Sequence, residues 1–222
     1  MVNKSKSIYT APITIEGYWE IEGVCANGES RNYHVFEKMT SAMNHNRLIE
    51  YSMSEKEKGN PFVEDSIWTW AIFSRAYELR NKHPEDIERL RKNLQLCLKQ
   101  YPNTLTRAVY NPEGVIDKAV HNYGTPDEYI LNGNLVGKDN WVNKIEDKEV
   151  LTSIIGEENT DKLNQVSQWL NNTDAYLWRL NSKPSQQDER VVGFSALSGG
   201  LIFGCYWYPA DRYPAFRVLR ID

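Results

Sequence analysis

Cysteine is scarce: Cys25, Cys97 and Cys205 are three in a chain of 222 residues, widely separated and odd in number. They make no C-x-x-C and no ligand spacing, so neither a disulfide framework nor a zinc centre organises the chain; buried thiols are expected, with one disulfide left open. Long apolar runs are missing too. None approaches the roughly 20 residues of a membrane span, and Met1 to Ser7 carries lysines with no apolar stretch behind it, so neither a membrane partner nor a signal peptide is expected. Positive charge is not in excess: 26 Lys and Arg stand against 30 Asp and Glu, a formal net charge of −4. A nucleic-acid binder usually shows a basic patch or stripe, so no nucleic-acid partner is expected. The four histidines, His34, His45, His83 and His121, have no paired spacing. There is no H-E-x-x-H, G-x-S-x-G, P-loop, G-x-G-x-x-G or EF-hand pattern, so no metal, no cofactor and no catalytic residue is expected.

Aromatic residues are what the chain has in quantity, with seven Trp and thirteen Tyr. Residues Ile8 to Ile21 are rich in Ile, Tyr, Thr and Trp and read as one or two strands, and Tyr33 to Phe36 as another. A helix is expected around Thr40 to Tyr51, then a loop from Glu55 to Pro61. Val63 to Asn81 has a wide apolar stripe that needs a core, with Glu64 and Asp65 in its first turn. Pro84 opens a second helix whose stripe is Ile87, Leu90, Leu94, Cys97, Leu98 and Tyr101. Leu105 to Tyr110 reads as a strand, Val115 to Tyr123 as a short helix or an extended segment, and Gly124 to Lys138 mainly as loop. Glu149 to Ile155 is a short helix closed by Gly156. Asn159 or Thr160 caps another that carries Leu163, Val166, Trp169 and Leu170. The acidic clusters read as solvated helix starts or loops, and the Asp127 to Asn143 stretch as loop chemistry. Asn3-Lys4-Ser5 and Asn171-Asn172-Thr173 match the glycosylation sequon, which matters only in a secreted protein. Strands at both ends with helices between them argue for an α+β fold. One domain over 1–222 is expected, with the helices of 63–101 as an insert.

The tail, Glu189 to Ile221, contains three strand-like runs separated by turns. Alternation puts Val192, Phe194 and Ala196 on one face of the first run and Gly193, Ser195 and Leu197 on the other. The second run leads into Tyr206, Trp207 and Tyr208, which cannot all point inward along a strand. Exposed Tyr and Trp supply rigid contact area at little entropic cost, which suggests a binding surface.

Gly-Phe-Ser-Ala-Leu-Ser-Gly-Gly, Gly204-Cys205-Tyr206-Trp207 and Pro214-Ala215-Phe216-Arg217-Val218 resemble C-type lectin-fold domains of the formylglycine-generating-enzyme branch. More narrowly, they resemble the variable proteins of diversity-generating retroelements, including archaeal and viral ones. That branch commonly closes on a Gly-Phe-Arg-Val-type strand, where this chain has Ala215 in the Gly position. The resemblance implies that N- and C-terminal strands pair. It also implies that substitutions copied from an adenine-mutated template fall on solvent-facing positions: Gly193, Ser195, Leu197, Gly199, Gly200, Ile202, Tyr206, Trp207, Tyr208 and Asp211. Val192, Phe194, Ala196, Leu201, Cys205, Pro209 and Phe216 would be the fixed scaffold. The Glu-Pro-Asn and Trp-Asn-Asp motifs of calcium-dependent sugar lectins are absent, and Cys205 lacks the paired cysteine of the oxidase members.

The expectation is therefore a non-enzymatic, monomeric binding protein whose residues 189–221 recognise a protein or other macromolecule, in the cytoplasm or on a virus particle. Two alternatives stay open. A viral structural protein would assemble through an apolar helix face at Val63 to Tyr101. A carboxylate-dependent hydrolase would need a deep pocket with two facing acids.

Overall fold

A computed structural model of the chain describes residues 17–197 and 200–221. The strand expected from Ile8 lies outside these residues up to position 16, as do Asn3-Lys4-Ser5 and Gly199. Strand β1 (Tyr18–Ala26) and strand β2 (Glu29–Phe36) form an antiparallel hairpin. Asn27 and Gly28 turn it, with φ of 50° and 75°. Both central residues of a two-residue hairpin turn need positive φ, which Asn and Gly tolerate best. This turn carries β1 five residues past the boundary read at Ile21. The last strand, β10 (Val218–Arg220), pairs antiparallel with β2, so strands from opposite ends of the chain lie side by side in a three-stranded sheet.

The second sheet has seven strands in the order β5-β4-β3-β8-β9-β7-β6. They are β3 (Asn103–Tyr110), β4 (Asp117–His121), β5 (Tyr129–Gly133), β6 (Asn140–Trp141), β7 (Ala175–Trp178), β8 (Asp188–Leu197) and β9 (Gly200–Trp207). β7 and β9 run parallel and the other pairs antiparallel. β5 corrects the reading of Gly124 to Lys138 as loop: Tyr129-Ile130-Leu131 is a β-prone run, and its Asn- and Gly-rich flanks hid it. Val115 to Tyr123 is extended, holding β4.

Among the described residues five α-helices complete the α+β fold: α1 (His45–Glu57), α2 (Ser66–Leu79), α3 (Pro84–Leu98), α4 (Glu149–Ile155) and α5 (Thr160–Asn171). α1 starts later than expected because Asn44 is its cap, Oδ1 accepting from Arg47 N at 3.0 Å, and it runs on through Glu57 into the expected loop. α2 is apolar nearly all round, and such a helix has to be enclosed. Trp70 meets Phe203 of β9 edge-on at 5.1 Å, and Phe73 meets Phe194 of β8 and Phe216 edge-on at 5.4 Å each. The main hydrophobic cluster runs continuously through both sheets and helices α2 to α5. Removing Phe73 from this junction would cost about 3–5 kcal/mol. The placement of α2 matters for function, because Trp68 in its first turn and Glu64 just before it line a cleft between the two sheets.

Candidate functional site

On the β8–β9 hairpin the inward set falls where alternation puts it. Val192, Phe194, Ala196, Leu201, Phe203 and Cys205 all belong to the main cluster. The outward set divides. Gly193 and Gly204 face each other across the two strands, and the Trp207 indole lies over both. A methyl group on Gly193 would come 2.7 Å from the Pro102 carbonyl oxygen and 3.2 Å from Trp207 Cζ3, and one on Gly204 would overlap the indole outright. Glycine here is a seat for a tryptophan.

This corrects the expectation that the outward positions are solvent-facing. Gly193 and Gly200 are buried, Ser195 is 1% exposed and Ile202 is 8% exposed. Two things cover this face that strand alternation does not reveal. A β-bulge between Val191 and Val192 shifts the register, so that Trp207 stands opposite Val191 and folds back. β6 and β7 also bring Trp141 and Tyr176 over Gly200, where an added methyl group would meet them in ordinary contact at 3.5 and 3.7 Å. Leu197 ends β8 and pairs with Gly200, whereas Gly199 lies outside the described residues.

The remaining positions form an aromatic rim. Tyr206 is 43% exposed and Tyr208 is 51% exposed, while Trp207 and Asp211 are half-buried. The sequence reading missed a partner, Trp178 at the end of β7, which is 40% exposed and stacks on Tyr206 at 5.8 Å with 9° between the rings. The signal was the alternation of Tyr176 and Trp178, whose face could not be oriented without knowing that β7 lies parallel to β9. The Arg190 guanidinium sits 3.8 Å over the Tyr208 ring and pairs with Asp188. Asp211 Oδ2 accepts from Tyr208 N at 3.2 Å and fixes the turn that follows β9.

A second constellation was not foreseen. A cleft of about 1060 Å³ opens between the three-stranded sheet, α1 and β5, and Glu64 and Trp68 are among its lining residues. In sequence Glu64 and Asp65 look like ordinary first-turn acids of a helix. In the fold Asp65 is the α2 cap: Oδ1 accepts from Trp68 N at 3.0 Å, and Oδ2 accepts from Asn122 Nδ2 at 3.2 Å and Tyr129 Oη at 3.1 Å. Glu64, 5% exposed, is far less well supplied. Its Oε1 accepts one hydrogen bond from Tyr33 Oη at 2.7 Å and lies 3.7 Å from Arg31 Nη1. Burial, and then the negative charge of Asp65, push the Glu64 carboxyl up to about 7. The same burial, with the charge of Glu64 beside it, holds the Tyr33 hydroxyl far above its ordinary range, so it stays a donor.

A third buried group is structural. His45 Nε2 donates to the Thr104 carbonyl at 2.9 Å while Nδ1 accepts from Arg107 Nε at 3.1 Å, so the ring is neutral with a fixed tautomer. Burial, reinforced by Arg107, depresses this imidazole to about 3.

Among the described residues no group of three or more His, Cys, Asp or Glu is arranged to hold a metal ion, and no helix is long and apolar enough to cross a membrane. No protein-family model, no curated protein and no solved structure matches this chain.

Proposed function

We propose that the chain is a binding protein without catalytic activity, which recognises a protein or other macromolecule through the aromatic rim at the end of β9. The observation that carries this reading is the stacked, near-parallel Trp178–Tyr206 pair beside exposed Tyr208, on a sheet whose opposite face is locked into the core. Large rigid rings with few rotors to freeze are what recognition surfaces use. In the narrower form of the proposal the scaffold is a C-type lectin-like fold of the retroelement-diversified kind, acting as a monomer. The sequence motifs of the tail and the lateral pairing of β10 with β2 support that form. The diversified set is then reduced to Tyr206, Tyr208 and Asp211, because Trp207 is held in the seat that Gly193 and Gly204 leave for it.

Sequencing the DNA around the gene tests this directly. The expected finding is a near-copy of the segment encoding Arg190 to Asp211, beside a reverse transcriptase gene. Its adenine-linked differences should cluster at the codons for 206, 208 and 211 and spare those for 193, 204 and 207. A locus with no such copy removes the diversification. A copy whose differences fall mainly on the two glycine codons removes the rim as the displayed surface.

A further inference from the structure

The cleft floored by Glu64 has no part in the recognition just described. Its lining is charged on both sides, yet the charges are not equally satisfied. Arg31 is held by Glu29, with Nη2 to Oε2 at 2.8 Å, and lies 3.8 Å over the Trp68 ring. Lys56 pairs with Asp127 at 2.5 Å, and Arg220 is engaged as well. Glu64 has one neutral donor and one long ion pair, both at Oε1, while Oε2 accepts no hydrogen bond from the described residues; the residue is 5% exposed and lines the cavity. The residual charge of the cleft is therefore negative, and it sits at the floor. Phe62, Leu131 and Leu219 supply apolar wall above it. A volume of about 1060 Å³ is at the upper end of small-molecule sites, which run to roughly 1,000 Å³.

We infer that this cleft is a second binding site, which takes an organic cation, an amine or guanidinium group on a short apolar stem, with the cationic head against Glu64 Oε2. A buried carboxyl short of counter-charge costs stability, and groups that cost stability are commonly retained for what they bind. The cation completes what Tyr33 and Arg31 leave unfinished, and the stem lies along the apolar wall. Binding is then coupled to ionisation of Glu64. The charged and titratable groups that act on this carboxyl are Arg31 and Tyr33 from β2, Lys56 from α1, Asp65 at the α2 cap and Tyr129 from β5. A cation at Oε2 adds to the positive side of that set and drives the proton off.

Isothermal titration calorimetry on the full chain tests this with two probes. Agmatine represents a free small molecule, and a capped arginine dipeptide represents a basic side chain of a peptide. Saturable binding of either is expected, with the tighter one identifying the source, and with roughly half a proton released per site near pH 7 when buffers of different ionisation heat are compared. Affinity should rise about tenfold from pH 6 to pH 8, following ionisation of the carboxyl. Glu64→Gln should weaken binding at least about tenfold and remove the buffer-dependent heat. The wild-type pH dependence needs no variant, so a misfolded Gln form does not rescue the idea. Absence of binding for both probes at about 10 mM, equal binding of the neutral polyol erythritol, or binding whose affinity is flat between pH 6 and 8 each overturns it.

Discussion

Exchanging Glu64 for Gln should make the protein more stable at alkaline pH, an unusual result for a buried hydrogen-bonded residue. Glu64 is 5% exposed, and burial with Asp65 beside it raises its carboxyl from 4.5 to about 7. An acid whose folded pKa is raised binds its proton more tightly in the native state. The stability it contributes is complete below about pH 4.5 and is lost as pH climbs through about 7. The gap between about 7 and 4.5, at 1.36 kcal/mol for each pH unit, comes to about 3 kcal/mol. Glutamine keeps an acceptor for Tyr33 Oη and carries no charge at any pH. Urea denaturation of both proteins at pH 5 and pH 8 therefore isolates the effect, because every other titrating group cancels in the difference. Part of this is already lost at pH 5, so the stability of the Gln form relative to wild type should move by about 2.5 kcal/mol in its favour between the two. A relative stability constant within about 0.5 kcal/mol would refute the assignment of Glu64 as a strained buried acid, and with it the reason to expect a cation in the cleft.

His45 titrates in the opposite sense. Its folded imidazole is depressed to about 3 from 6.5, so its stabilising contribution is present above pH 6.5 and is lost as pH falls toward 3. Urea midpoints should show wild type losing about 2 kcal/mol from this group between pH 6.5 and 5, a loss that His45→Asn, itself weaker at pH 7, does not show. Gly204→Ala and Gly193→Ala should each destabilise by about 1–3 kcal/mol through overpacking against Trp207 and Pro102, read as a fall in melting temperature of roughly 2–4 °C per kcal/mol. Tyr206→Ser, on the rim, should cost under about 1 kcal/mol, the value of one exposed aromatic pair.

Much of the fold could be read from local pattern. The α3 stripe from Ile87 to Leu98, the Asn159 cap and the Gly156 stop each act within a few residues and are where periodicity or capping chemistry puts them, with Asn159 Oδ1 accepting from Asp161 N and Lys162 N at 3.1 Å; Tyr101, expected on the stripe, lies past the helix end in a left-handed turn. The inward face of β8 was legible for the same reason, since alternation is a property of one strand. What alternation cannot supply is what lies over the other face. Gly193 and Gly200 are outward on the β8–β9 hairpin yet covered, because a bulge in β9 brings Trp207 across the first and the strands beyond β9 bring Trp141 and Tyr176 to the second. The cleft failed to show for a related reason. Glu64 is commonplace beside a helix start, and only the meeting of β2, α1 and β5 encloses it and makes its missing partner consequential. Trp178 joins the rim through a β7–β9 register that no local window contains.

The division of the tail into a displayed rim and a locked glycine seat can be put to one measurement. Two libraries are displayed on yeast, one randomised at Trp178, Tyr206, Tyr208 and Asp211, the other at Gly193, Ser195, Gly200 and Ile202, and the protease-resistant fraction of each is counted. Most members of the first should stay folded and few members of the second, because the first set is half-buried or exposed and the second is buried. Equal protease resistance in the two libraries would contradict the account, because the rim would then tolerate exchange no better than the buried face.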